Sequence, residues 1–340
     1  MIPKKVILDC DPGSDDAIAM MLAMKSDAID LIGVTTVNGN RIVPKTTENA
    51  LRVVQFMKSS VPVYRGCEEP IICNEIPGRK PGLPRVTLND CHGDFLPLPE
   101  AEIRTEKEHA VFYLVKTLME SEGDIYVAAV GPLTNLAMAL RIEPKIAGKI
   151  KQLVIMGGGH CGANASPAAE FNFYADPEAA KIVMDSAIPK VILPLDATWR
   201  ACLSEEKCKE LAQFGTPEAK VAAALVQKRI DNLKVNDVSE HNYALRHQAG
   251  TVAGAMLYRY DNHMAPIHDA LAIAYLINEN VVTELADANV DIDIAGGLCD
   301  GRMVADFHNT KKCKAPVTAK VALNSDAGLF TDMLFAALGK

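Results

Sequence analysis

From Lys4 to Leu195, short apolar runs of strand length alternate with longer segments of helical periodicity. No other feature of the chain restricts its fold as much. Strands are predicted at 4–9, 29–37, 124–130, 151–155 and 190–195, and helices at 15–24, 44–58, 106–120, 133–140 and 176–185. A β-α-β-α rhythm of this kind implies an α/β fold with a mainly parallel central sheet and helices on both faces. The stretch 204–260 breaks the rhythm, being polar, helix-rich and nearly free of strand signals. It reads as a helical insertion over the sheet, near the binding pocket. Beyond it come a helix at His268–Ile277, strands at 290–294 and 317–323, and a closing helix at Ala327–Leu338. Residues 66–100 carry several Pro and Gly with little periodicity, which suits a functional loop or a disordered segment. Without an internal repeat, low-complexity tract or linker, residues 1–340 are expected to form a single domain.

Composition narrows the function. About half the residues (49%) are hydrophobic, enough for a substantial core. The net charge of −8 argues against nucleic acid as a partner, because a phosphate groove needs clustered Lys and Arg. Nine cysteines, odd in number and without a C-x-x-C pair, look like the reduced thiols of a cytoplasmic protein. There is no signal-peptide pattern at the start, and no apolar run approaches the roughly 20 residues needed to span a bilayer. A cytoplasmic enzyme without a membrane partner is expected.

The chemistry concentrates just after the first strand. Asp9, Asp11, Asp15 and Asp16 fall within eight residues around a Pro12-Gly13 turn. In open α/β sheets, ligands bind outside the carboxyl ends of the strands. Carboxylates this close raise one another's pKa unless a cation intervenes. A helix N-terminus relieves only about 0.3–1 kcal/mol per charge. A hard divalent ion with oxygen ligands answers the problem better. The bland alternative is an acidic helix cap with Ser14 as N-cap. A D-x-D phosphatase could also claim the turn, with Asp9 as nucleophile and Asp11 as acid/base.

The rest of the chain decides between them. Asp9-Cys-Asp-Pro-Gly-Ser-Asp-Asp-Ala17 resembles the D-x-D-P-G-x-D-D-A signature of the nucleoside hydrolase family. Val34-Thr-Thr-Val-Asn-Gly-Asn40, Gly131-Pro-Leu-Thr-Asn135, Met156-Gly-Gly-Gly159, Glu170-Phe-Asn172, Asp176-Pro-Glu-Ala-Ala180 and His268-Asp269 follow in family order. The similarity runs from residue 6 to about residue 280. It implies a Rossmann-like fold, hydrolysis of the N-glycosidic bond of purine or pyrimidine ribonucleosides in nucleoside salvage, and a homodimer or homotetramer.

By this resemblance Asp11, Asp16, Asp269 and the main-chain carbonyl of Val130 bind Ca²⁺. Asp11 is then the base for the attacking water, since the reaction passes through an oxocarbenium-like state. Asp15, Asn40, Asn164, Glu170 and Asn172 are the implied ribose grips, with Met156 and Phe171 packing on the ligand. Asn40 and Asn164 could instead be turn formers, and Phe171 plain core. His268 is the candidate acid for the leaving base, because imidazole can donate a proton near neutral pH; capping or packing is its alternative role. His92, in Cys91-His-Gly93, matches a family histidine near the base pocket, although relatives often carry His-x-His-Gly and Asp90 stands here in the first place.

The segment 258–267 departs from the family pattern. Tyr258, Tyr260 and His263 could stack on the base or line a helix. With His268 retained and Trp199 the sole tryptophan, the chain resembles the His-containing group, which includes inosine-uridine preferring enzymes. A nucleoside-binding protein without turnover is the non-enzymatic alternative, and the intact set Asp11, Asp16, Asp269 and His268 argues against it.

Overall fold

In the computed structural model of the chain, residues 2–72, 75, 93–235, 264–308 and 316–340 are described. The strands β1 (Lys4–Cys10), β2 (Ile29–Thr36), β3 (Val63–Arg65), β4 (Ile125–Ala129), β5 (Ile150–Met156) and β6 (Lys190–Leu193) pair in parallel in the order β3-β2-β1-β4-β5-β6. The helices α1 (Ser14–Lys25), α2 (Val43–Phe56), α3 (Ala110–Glu120), α4 (Thr134–Ile142), α5 (Phe171–Ala175) and α6 (Pro177–Met184) lie between these strands in the sequence.

Alternate residues of the central strands face opposite layers. Val6 and Leu8 of β1 join one apolar cluster with α1, while Ile7 joins a second with α3 and α4. In β5, Val154 and Met156 go to the first cluster, and Leu153 and Ile155 to the second. This is why the strands read as unbroken apolar runs: both faces of a parallel sheet are covered by helices. The expected α/β architecture is present.

After β6 come α7 (Leu195–Thr198), β7 (Cys202–Ser204), α8 (Glu205–Gln213) and α9 (Pro217–Val235). Then β8 (Met264–Pro266) pairs antiparallel with β7, Ser204 opposite Met264. The expected insertion therefore leaves and re-enters through one short ladder, and its described part is helical. Most of the segment that departs from the family pattern, with Tyr258, Tyr260 and His263, lies outside the described residues.

The chain ends with α10 (His268–Ile277), β9 (Val282–Ile292), β10 (Met303–Asp306), β11 (Ala319–Ser325) and α11 (Ala327–Leu338). β11 extends the parallel sheet beside β6, and β9 and β10 add an antiparallel edge, giving nine strands. Three expectations shift. The helix placed at 106–120 starts at Ala110, because His109 caps it by accepting from the N–H of Val111 at 3.3 Å. The strand placed at 290–294 begins at Val282, where mostly exposed residues hide the apolar alternation. The three-residue strands β3, β7 and β8 are too short to carry a period-two signal.

Candidate active site

The strand order reverses direction on either side of β1 and β4, and such a switch point opens a crevice at the carboxyl ends of the strands. Asp11 leaves β1 there, Val130 follows β4, and Asn172 on α5 follows β5. Asp269, in the first turn of α10, joins them; α10 packs against α1.

Asp9 does not face the crevice. Its Oδ1 accepts from Thr35 Oγ1 at 2.7 Å and from Asn135 Nδ2 at 2.8 Å. Asn135 also donates to the carbonyl of Thr36 and accepts from the N–H of Cys67. Burial pushes the Asp9 carboxyl up to about 6, against the pull of those two donors. The residue braces the strand ends and is not placed to be a phosphatase nucleophile.

Asp11 and Asp16 are clasped by the turn itself. The N–H of Asn40 donates to Asp11 Oδ2 at 2.5 Å, and its side-chain amide donates to the Asp11 carbonyl and to Asp16 Oδ2. Asp16 accepts from the N–H of Gly13 at 2.8 Å and of Asp11 at 3.2 Å. Gly13, not Ser14, is the N-cap of α1, and Asp16 closes the cap from inside the helix. The acidic-cap reading thus describes part of what Asp16 does. Asn40 acts here on the carboxylates, not merely as a turn former. Asn49 ties the turn to the end of the long loop, donating to the Pro12 carbonyl and accepting from the N–H of Leu96, each at 2.9 Å.

Carboxylate oxygens of Asp15, Asp16 and Asp269, one from each, lie within 4.8 Å of one another, and all three residues are buried. Asp11 stands beside this trio with Oδ2 turned to the Asn40 N–H. Its carboxyl and that of Asp269 are pushed well above the usual range, first by burial and then by the neighbouring charges, Asp16 for the former and Asp15 for the latter. An acidic set of oxygen donors under mutual repulsion and out of water fits a hard divalent cation. The Val130 carbonyl accepts from Asn172 Nδ2 at 2.8 Å and, having two lone pairs, can take one more partner.

The ribose-grip candidates divide. Asn172 also donates to the Met156 carbonyl at 3.0 Å, so it fixes two strand ends at the crevice. Glu170 caps α5, accepting from the N–H groups of Asn172, Phe173 and Gly158. Gly158, at φ +73, needs its lack of a side chain for that turn. Burial raises the Glu170 carboxyl to about 7 despite these donors. Asn164 Oδ1 accepts from the N–H of Phe171 at 2.8 Å, and Phe171 is half-buried. Asp15 is buried and paired with Arg229 of α9, Nη1 to Oδ2 2.8 Å.

His268 opens α10 with its Nδ1 2.8 Å from Thr198 Oγ1, at the end of α7. Neither Thr198 nor Arg229 was among the residues singled out from the sequence. His92 lies outside the described residues. No helix among the described residues is long and apolar enough to cross a membrane.

A parallel sheet in this order, with a buried oxygen-donor cluster at its switch point, defines a ligand-binding α/β enzyme with the means to hold a metal ion. The chain belongs to the inosine-uridine preferring nucleoside hydrolase family, whose match covers residues 6–332. It is thus a ribonucleoside hydrolase, an enzyme of the N-glycosyl hydrolase type. The pyrimidine-specific ribonucleoside hydrolase RihB of Escherichia coli O157:H7 is 36% identical to it, across 97% of this chain and 95% of the relative. Among solved structures, the plant nucleoside hydrolase PpNRh1 superposes with a TM-score of 0.81 at 27% identity, covering 99% of both chains. A purine-preferring ribonucleoside hydrolase from Gardnerella vaginalis gives 0.82 at 25% identity, covering 99% of this chain and 98% of the other.

Proposed function

We propose that this hydrolase cleaves pyrimidine ribonucleosides ahead of purine ones, in nucleoside salvage, at a site that holds Ca²⁺. The convergence of Asp15, Asp16 and Asp269 next to Asp11 and the Asn172-held Val130 carbonyl carries the reading. The pyrimidine preference rests on the similarity to RihB.

Asp11, Asp16, Asp269 and the Val130 carbonyl would hold the cation, and Asp15 stands near enough to share in it. When bound, the ion supplies positive charge that grips the ribose diol and acidifies a water. Asp11 would take a proton from the attacking water as that water's oxygen bonds to the anomeric carbon. The C–N bond breaks toward the base, whose developing negative charge is met by a proton from His268. Asp15 and Asn172 hold the sugar hydroxyls, Asn40 keeps Asp11 aimed, and Glu170 and Asn164 keep α5 in place. Met156 and Phe171 pack against the ribose.

The chain acts as one domain, a reading supported by a sheet that draws strands from both its beginning and its end. Free cysteines at six described positions suit a cytoplasmic setting. A homodimer or homotetramer follows from the family likeness.

The test is release of free base and ribose from a panel of ribonucleosides, with and without chelator. Uridine and cytidine should lead, and chelation should stop turnover until Ca²⁺ is restored. Turnover indifferent to the chelator would overturn the cation reading, and a lead for inosine would overturn the pyrimidine preference.

A further inference from the structure

The helical insertion brings a guanidinium into the acidic site. Arg229 on α9 sits with Nη1 2.8 Å from Asp15 Oδ2, their side chains only 11% and 8% exposed. α9 packs against α1, which carries Asp15 and Asp16, and against β8 at the base of the insertion. The arginine's charge also reaches Asp269, where it favours the ionised carboxylate. Asp11, Asp15, Asp16 and Asp269 are each at most 5% exposed. Buried carboxylates at such separations repel unless positive charge is present. A divalent ion can leave; a guanidinium in the chain cannot, and it stays charged at every accessible pH.

We propose that Arg229 is a positioning residue, the resident counter-charge of the cluster: it keeps the carboxylates assembled when no cation is bound and competes with the cation for Asp15. The insertion is thereby anchored to the acidic turn through charge as well as packing. The competition half rests on the cation reading above, whereas the counter-charge half stands without it.

Thermal unfolding of the full chain, with chelator and with saturating CaCl₂, separates the two. The variants are Arg229→Gln, Arg229→Lys, Asp15→Asn and the double variant Asp15→Asn with Arg229→Gln. With chelator, Arg229→Gln should melt several degrees below the parent, and adding Asp15→Asn should recover most of that loss. With calcium it should melt close to the parent, so its calcium-induced shift exceeds the parent's. Calorimetry should show calcium binding at least roughly ten-fold tighter in Arg229→Gln, the water-screened lower bound for removing a unit charge at ion-pair range, because this site is buried. Arg229→Lys should keep the parent's behaviour.

A loss of the same size with and without calcium would make Arg229 a packing residue and overturn the proposal. So would a lysine variant that behaves like glutamine. If the parent itself ignores calcium while Asp15→Asn still rescues Arg229→Gln, the cation reading and the competition fall but the counter-charge role stands. If the parent responds to calcium and the rescue is missing, the Arg229 assignment falls alone.

Discussion

Thr198 Oγ1 and His268 Nδ1 lie 2.8 Å apart, both residues buried, joining the end of α7 to the start of α10. With Nδ1 engaged, the ring has only Nε2 to offer a leaving base. Thr198→Val keeps the size and removes the hydroxyl. It should lower kcat on uridine by about ten-fold, the scale on which partners that orient a functional histidine act. On a nitrophenyl riboside, whose leaving group needs no proton, kcat should hardly change. His268→Ala should show the same contrast more strongly. Equal losses on both substrates, measured side by side, would make the pair a structural link.

Asn172 spans two strand ends, donating to Val130 and Met156 carbonyls that are out of water. Asn172→Ala leaves both acceptors short of a donor, at about 1–3 kcal/mol for each. The variant should unfold at lower urea and bind Ca²⁺ more weakly, because the Val130 carbonyl is no longer aimed. Denaturation and calcium calorimetry on the same preparation check both effects. Lost stability with unchanged calcium affinity would remove Val130 from the ligand set.

Much of this arrangement was legible in the sequence, and the gaps have a common cause. α10 and α11 were placed to the residue, and β1 within one, because apolar periodicity and sharp ends are local signals. The acidic turn was legible for the same reason. Thr198 was not, because its partner lies 70 positions away and nothing near it marks a hydroxyl aimed at a histidine. Arg229 looked like one more charge on a polar helix until the fold set α9 against α1. Glu170 and Asn172 were legible as a unit, but their hydrogen bonds to Gly158, Val130 and Met156 required the strand ends to be in place.

Glu170 gives a pH dependence with a definite sign. Burial raises its carboxyl from 4.5 to about 7, so the folded protein holds that proton more tightly than the unfolded chain. Its contribution to stability is therefore full below about pH 4.5 and lost as pH rises through 7, then flat. The loss is on the order of 3 kcal/mol from the pKa difference. Glu170→Gln cannot ionise, so relative to the parent it should gain stability between pH 5 and pH 8. Urea midpoints in the presence of chelator measure this. A difference independent of pH would mean that the backbone donors keep Glu170 ionised throughout.

The carboxylate of Asp11 is bounded by two glycines. A Cβ on Gly131 would stand 2.6 Å from Asp11 Oδ1 and 3.1 Å from its backbone nitrogen. One on Gly39 would overlap Asp11 Oδ2 and come within 2.9 Å of Pro132 Cδ. Asp11 cannot swing aside easily, since Asn40 holds both its side chain and its carbonyl. Gly131→Ala and Gly39→Ala should each displace the proposed base by a fraction of an ångström to an ångström. A shift of that size costs about a hundredfold in rate when geometry controls the step. Gly148→Ala is the control, because its Cβ would meet nothing within 4 Å. The control should keep the parent's kcat and melting temperature, while the two site variants stay folded by circular dichroism and lose turnover. Full activity in Gly131→Ala would mean that the position of Asp11 is not what limits the reaction, and a different base would have to be sought.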